Sequence, residues 1–240
     1  MTMKQTFILL VAMMMLAPAV MRGQDSESLY RGWGAGFQVG VGGKVPTGSL
    51  GDDLKGCSLF TGGLAVENNR ARLKIDLTYS QPSFKNDNPY AVYDDQGRNL
   101  QLNGTASVTS LDASCQLGYT VWRNGRVKVT PCVGVNFNRL NWDMNHIKWE
   151  ADDQGEVKPQ IDNVTDVHET STSWIASMDI DIRLGGKFVS LGNGSCHYTS
   201  SVRVSPFITH TGYSNLSPSV KGNWIGITLS YTGLFRPNSR

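Results

Sequence analysis

The sequence has no uninterrupted apolar run of 18 residues, so no segment of it can cross a bilayer as a helix. Charged residues are also scarce, at 18% of 240 residues, and 22 basic side chains nearly balance 20 acidic ones. This balance argues against a protein that binds nucleic acid electrostatically. The chain nevertheless contains eight Tyr, eight Phe and six Trp, which argues against a disordered protein.

The usual motifs of catalysis and metal binding are missing as well. The sequence contains no CxxC pair, no zinc spacing of Cys and His, no glycine-rich phosphate loop and no HExxH. Of its four cysteines, Cys115 and Cys132 fall on opposite faces of neighbouring predicted strands, so we expect free thiols rather than disulfides. We therefore assign no catalytic, cofactor-binding or metal-binding residue and expect no cofactor.

The N-terminus has the order of charge, apolar core and small residues that is typical of a secretory signal. Lys4 precedes the apolar run 7–19, and cleavage after Ala19 or after Gly23 fits the small residues there. We predict a cleaved signal peptide over residues 1–23, followed by an N-terminal tail over 24–32. Removal of Lys4 and Arg22 leaves 20 basic and 20 acidic residues, so the predicted mature chain is formally neutral.

Beyond residue 30 the dominant hydrophobic period is two, which is typical of half-buried strands. Short turns containing Asn68-Asn69, Asn124-Gly125 or residues 191–194 alternate with the longer connections 45–56, 83–105, 143–170 and 212–221. The pattern predicts an all-β, eight-stranded, antiparallel up-and-down barrel over residues 33–235, with a C-terminal tail at 236–240. The predicted strands are 33–44, 57–67, 70–82, 106–122, 126–142, 171–188, 199–211 and 222–235.

Period two alone does not say which face of such a barrel is apolar. The polar positions hold mainly Gly, Ser, Thr, Asn and Gln, which suit the narrow interior of eight strands better than a water-facing surface. We therefore predict a transmembrane barrel with its apolar face toward lipid, and keep a soluble lipocalin-like barrel as the alternative. Aromatic residues near predicted strand ends suggest two interfacial girdles: Trp33, Tyr79, Tyr119, Trp122, Phe137, Trp142, Trp174, Tyr231 and Phe235.

The predicted interior contains a balanced set of charges. Five bases, namely Arg72, Lys74, Lys128, Arg183 and Arg203, face five acids, namely Glu67, Asp76, Asp112, Asp179 and Asp181. Because isolated charge is costly in a low-dielectric interior, this balance predicts a paired, hydrogen-bonded plug rather than an open pore. Pro131 and Pro206 oppose the scheme unless bulges accommodate them, since a closed barrel has no free edge.

The two ends of the predicted barrel differ in charge. The segment 143–170 carries eight acids and two bases and is expected to be external, where it could bind cations or a basic partner; a solvated loop is the simpler interpretation. Basic residues gather at the opposite end: Arg70, Arg123, Arg126, Lys187, Arg236 and Arg240. Within the acidic segment and beside it, His168, Glu169 and Ser171 offer the residue types of a lipid-modifying enzyme, which we keep as an alternative function.

The signal segment, the eight alternating strands and the closing strand 224–235 resemble small bacterial outer-membrane β-barrel families, either PorT-like or OmpX-like. The opening segment Gly32–Gly42 and the strand Pro131–Phe137 look more like the PorT-like group. The resemblance implies an outer-membrane location, contact with outer-membrane lipid and, as in some PorT-like proteins, a part in a secretion assembly. We expect a non-enzymatic protein that acts through external loops or with other surface or secretion proteins, and that does not bind nucleic acid.

Overall fold

The computed structural model describes residues 32–85, 92–93, 99–100, 108–151, 157–191, 194–213 and 220–237. No helix within these ranges is both long and apolar enough to cross a bilayer. The predicted signal peptide lies outside them and stays a prediction. The strands are β1 (Trp33–Gly48), β2 (Cys57–Asn68), β3 (Ala71–Ser80), β4 (Val92–Tyr93), β5 (Asn99–Leu100), β6 (Thr109–Tyr119), β7 (Trp122–Arg123), β8 (Val127–Ala151), β9 (Val157–Leu191), β10 (Gly194–Tyr213) and β11 (Val220–Pro237).

Eight of these strands form a closed antiparallel barrel, as predicted. Each pairs with its neighbours in chain order, from β1 through β2, β3, β6, β8, β9 and β10 to β11. β11 then pairs with β1 over the register Ala35↔Phe235 to Gly48↔Gly222, which closes the sheet. The two-residue strand β7 extends the β6–β8 hairpin, while β4 and β5 pair only with each other.

The polar and apolar faces are oriented as the transmembrane interpretation requires. Along β3, Leu73, Ile75 and Leu77 are exposed on the outside, while Arg72 and Lys74 are buried inside. The soluble lipocalin-like alternative is therefore wrong, because it needs an apolar interior. β3 has ten residues, and at about 3.4 Å per residue and a tilt of about 40° it spans roughly 25 Å, the height of an outer-membrane apolar band.

Exposed aromatic residues of the predicted set lie at both ends of the described wall: Tyr79, 41% exposed, is one residue from the long-loop end of β3, and three others lie at the short-turn end. Trp33, Tyr119 and Phe235 are exposed there, opposite Asn68, Ala71 and Ala35 respectively. Other members of the predicted set lie nearer the middle of the wall: Phe137 is opposite Ala113 and Tyr231 is opposite Val39. Trp122 is half-buried, and the side chain of Trp142 lies outside the description. A ring fully within hydrocarbon is simply an apolar side chain, which explains why alternation alone misplaced these residues.

The barrel wall accommodates both prolines by interrupting strand pairing. Next to Pro131, the β6–β8 ladder stops at Gly118↔Cys132 and resumes one residue out of register at Trp122↔Val129. Next to Pro206, the β9–β10 pairing passes from Val204 to Phe207 without a change of register, so no bulge is needed there. The β9–β10 bulge lies instead between Ser200 and Ser201. Proline has no backbone N–H to donate, and at both positions it lies where the pairing with one neighbouring strand is interrupted.

The connections differ from the predicted loops in two places. The predicted loop 45–56 contains the last residues of β1 and a five-residue helix, α1 (Ser49–Asp53). The predicted loop 143–170 is mostly strand, since β8 continues to Ala151 and β9 begins at Val157. The turn predicted at Asn124-Gly125 is shifted by one residue, because Asn124 and Val127 exchange both backbone hydrogen bonds, at 2.8 and 3.1 Å.

Candidate functional site

The half of the barrel interior nearer the short turns is filled by an ionic network. Its bases are Arg72, Lys74, Lys128, Arg203 and Arg236, and its acids are Glu67, Asp76, Asp179 and Asp181. These side chains come from β2, β3, β8, β9, β10 and β11. The network therefore also joins strands that are not neighbours in the sheet, such as β3 and β9.

Arg72 lies at the centre of the ionic network. Its guanidinium donates to Glu67 at 2.7 Å, to Asp179 at 2.6 Å and to Asp181 at 2.5 Å. Asp179, which is fully buried, also accepts from Lys74 at 2.9 Å and from a hydroxyl of β10 at 2.8 Å. Sharing each carboxylate between several donors offsets the cost of removing these charges from water.

A second buried ion pair lies nearer the long loops. Lys44 donates to Asp112 at 2.9 Å, and the side-chain amides of Asn136 and Asn138 donate to the same carboxylate at 3.0 and 2.7 Å. The Lys44 ammonium also lies 4.6 Å from the ring centroid of Trp224. This cation–π contact joins the ion pair to the apolar side chains beyond it.

The long-loop end of the interior is closed by an apolar plug. It consists of Leu50 from α1 together with Leu54, Val108, Leu140, Tyr213, Val220 and Trp224. Leu50, Leu140, Tyr213 and Trp224 are completely buried. The Tyr213 hydroxyl donates to Asn138, so the only polar atom of that side chain reaches the Lys44–Asp112 layer. Sequence alternation did not reveal this plug, although the Leu50 and Leu54 spacing is that of one helical face.

Little space remains between these layers. A cavity of about 50 Å³ separates the Lys44–Asp112 pair from the ionic network, and another of about 40 Å³ lies at the short-turn mouth. Each is large enough for about three water molecules. Among the described residues, little of the interior space is therefore left open.

The interior charges agree with the sequence analysis in kind but not in number. Lys44 and Arg236 were missed: Lys44 ends a predicted strand, and Arg236 was assigned to the C-terminal tail, whereas β11 runs to Pro237 and buries Arg236 against Glu67 at 3.0 Å. Arg183 points inward, yet no carboxylate of the described residues pairs with it. Glu169, assigned to the solvated acidic segment, is buried instead.

The candidate residues of a lipid-modifying enzyme are not brought together. His168 is exposed, whereas Glu169 and Ser171 are buried and lie on the opposite face of β9. The Ser171 hydroxyl accepts from the backbone N–H of Gly212 at 3.1 Å. All four cysteines are free, as expected. Within the described ranges, no three side chains of His, Cys, Asp or Glu are placed to hold a metal ion.

Strands β8 and β9 continue beyond the barrel wall as a two-stranded ribbon. The β6 partner of β8 ends opposite Asn141, but β8 goes on to pair with β9 as far as Ala151↔Val157. We call residues 142–151 and 157–167 the external ribbon. Its ten β8 residues extend roughly 30 Å along the strand direction. The acidic residues predicted for an external loop are therefore mostly part of paired strands.

These features together identify the environment of the protein. A closed antiparallel barrel leaves no unpaired edge in hydrocarbon, and its outward side chains are apolar, such as Leu64 at 67% exposure and Leu117 at 66%. Its interior is polar and its hairpin turns are short at one end only. This is the architecture of a bacterial outer-membrane barrel. The chain is an outer-membrane β-barrel protein.

The sequence matches no protein-family model and no curated protein sequence. Among solved structures, the outer-membrane protein OprG from Pseudomonas aeruginosa is similar over 88% of this chain and 98% of its own, with 8% identity and a TM-score of 0.41. The attachment invasion locus protein Ail of Yersinia pestis is similar over 84% and 97%, with 8% identity and a TM-score of 0.41. The outer membrane protease OmpT from Escherichia coli is similar over 85% and 96%, with 8% identity and a TM-score of 0.34. The barrel assignment itself follows from the strand pairing described above.

Proposed function

We propose that this protein is a non-enzymatic outer-membrane anchor that presents the external ribbon to a partner in a surface or secretion assembly. The observation that carries this proposal is the contrast between a filled lumen and a hairpin that extends far beyond the wall. A barrel whose interior is closed by an ionic network and an apolar plug is poorly suited to transport, whereas a projecting hairpin is available for binding.

The ribbon has two properties that suit it to protein recognition. Among the described residues the ribbon part of β9 pairs only with β8, so its other backbone edge can receive another chain, whereas β5 lies next to β8. The segment 142–167 also carries seven acids and two bases, which favours a basic partner. A role in a secretion assembly, as in some PorT-like proteins, is one form of this proposal. The external ribbon would then be the surface that contacts the other proteins of the assembly.

Deletion of residues 143–166, with Trp142 and Val167 joined by Asn-Gly, tests the proposal. We expect the shortened barrel to insert normally and to keep its heat-modifiable gel mobility, because the described part of the deleted segment, 143–151 and 157–166, forms strand pairs only within itself. Blue-native gels of detergent-extracted membranes should then show loss of any larger complex that contains the full-length protein. The matched control deletes residues 86–91 and 101–105, which belong to the connection that the sequence predicts over residues 83–105. An unchanged complex in the ribbon deletion would refute the proposal.

A further inference from the structure

The cavity at the short-turn mouth has a composition that the plug does not explain. It measures about 40 Å³, and five cationic side chains line it, from Arg126, Lys128, Arg183, Arg203 and Arg236. Only two carboxylates, those of Glu67 and Asp181, face the same space. The lining therefore has an excess of three positive charges. A cavity at the end of the barrel, where bulk water meets the interior, is also accessible to a solute.

The two carboxylates of this cavity are already shared. Glu67 accepts from Arg72 at 2.7 Å, from Lys128 at 2.8 Å and from Arg236 at 3.0 Å. Asp181 accepts from Arg72 at 2.5 Å and from Arg203 at 2.6 Å. Both carboxylates are therefore already neutralised, in part by Arg72, which is not part of the cavity lining. Neither carboxylate is left to neutralise the other cations of the cavity.

Among the described residues, no carboxylate pairs with Arg126 or Arg183 of this cavity. They are held side by side by the backbone, since the Arg183 N–H donates to the Arg126 carbonyl at 2.7 Å. Arg126 is exposed, and the Arg183 guanidinium lies toward Gly186 and His197. Two cations that line one cavity repel each other unless an anion lies between them.

The rest of the lining includes three hydroxyl residues. Thr199, Ser201 and Thr232 line the cavity, and the Thr232 hydroxyl already donates to the Ser201 carbonyl at 3.3 Å. The cavity volume of about 40 Å³ holds about three water molecules, which is the space that one small tetrahedral anion needs. Guanidinium forks bind phosphate through two parallel N–H···O bonds, and a phosphate carries enough charge to offset most of the local excess.

We infer that the short-turn mouth is a binding site for a phosphate group, with Arg126 and Arg183 as its principal ligands. The group could belong to the headgroup of a phospholipid in the adjacent leaflet or to a free phosphate compound, and the chemistry is the same in both. The inference does not depend on the proposed function, because the mouth lies at the opposite end of the barrel from the external ribbon.

The test uses the full chain, folded in octyl glucoside without phosphate buffer. Binding is measured by ³¹P NMR titration with inorganic phosphate in one arm and with dihexanoyl phosphatidylglycerol in the other. We expect saturable binding in at least one arm, and at least about tenfold weaker binding by the R126Q/R183Q variant, equivalent to about 1.4 kcal/mol. The control, R70Q, removes an exposed arginine from a turn at the same end and should stay within about twofold of wild type.

The two arms identify the source of the phosphate. Binding of inorganic phosphate alone indicates a free ligand, binding of the lipid alone indicates a headgroup, and binding of both shows that the phosphate group itself suffices. If R126Q/R183Q loses its heat-modifiable mobility, Arg183→Lys replaces it; that variant keeps the charge but loses the fork and should bind at least about threefold more weakly. No saturable binding in either arm, or equal weakening by R70Q, would overturn the inference.

Discussion

The two halves of the barrel interior are filled by different kinds of interaction. Toward the short turns, the ionic network joins six strands, and the carboxylates of Glu67, Asp179 and Asp181 are each shared between several cations. Toward the long loops, the apolar plug packs Leu50 of α1 against Trp224 and Tyr213. The network is built from residues of the wall, whereas the plug depends partly on a connection between strands. The comparison indicates that the network determines the stability of the barrel and that the plug closes its outer end.

The largest effect is expected from Asp179→Ala. In the wild type the Asp179 carboxylate lies 2.6 Å from the Arg72 guanidinium and 2.9 Å from the Lys74 ammonium. The substitution removes this shared partner from both cations. Removing one partner of a buried ionic group typically costs about 3–5 kcal/mol. Urea unfolding in lipid vesicles measures the loss, and Asp52→Ala, at an exposed position of α1, is the control. A loss below about 1 kcal/mol would contradict the central place of the ionic network.

A smaller effect is expected from Leu50→Ala. Leu50 is completely buried in the apolar plug, so truncation leaves a cavity; but α1 is only five residues long and can shift to fill part of it. We expect a loss of about 2–3 kcal/mol in the same unfolding experiment. The lumen should remain closed, because the ionic network is untouched. A loss larger than that of Asp179→Ala would reverse the comparison between the two halves.

The smallest effect is expected where the two halves meet. Lys44→Met removes the cation beside Asp112, yet that carboxylate keeps the amide donors of Asn136 and Asn138 at 3.0 and 2.7 Å. Methionine also keeps an apolar stem against Trp224. We expect a loss of about 1–2 kcal/mol. The exposed Lys55→Met is the matched control, and equal unfolding curves for K44M and K55M would show that the Lys44–Asp112 pair contributes nothing.

Alternation in the sequence was sufficient to predict the wall of the barrel and much of the ionic network. Arg72, Lys74, Asp179 and Asp181 lie between apolar positions that face lipid, and the period of two places all four inside. The same rule missed Arg236, because that residue follows the last apolar position of β11 and looked like part of a tail.

The features that the sequence did not reveal are those outside the lipid-facing wall. The external ribbon extends beyond the barrel wall, so its residues need not alternate, and the segment 143–170 was predicted to be a loop. The apolar plug requires Leu50 from a connecting segment to pack against Trp224 of the last strand, and such long-range packing has no local signature. The excess of positive charge at the short-turn mouth could not be predicted from the sequence either. Counting five interior bases against five interior acids assumed that Arg183 pairs with a carboxylate.

Planar-bilayer recording of the purified wild-type protein tests the closed lumen most directly. The ionic network and the apolar plug leave separate cavities of about 50 and 40 Å³ among the described residues, so we predict no sustained unitary conductance. The same preparation must shift on boiling, which shows that a silent bilayer does not result from misfolded protein. Reproducible single-channel steps from folded wild-type protein would contradict the account.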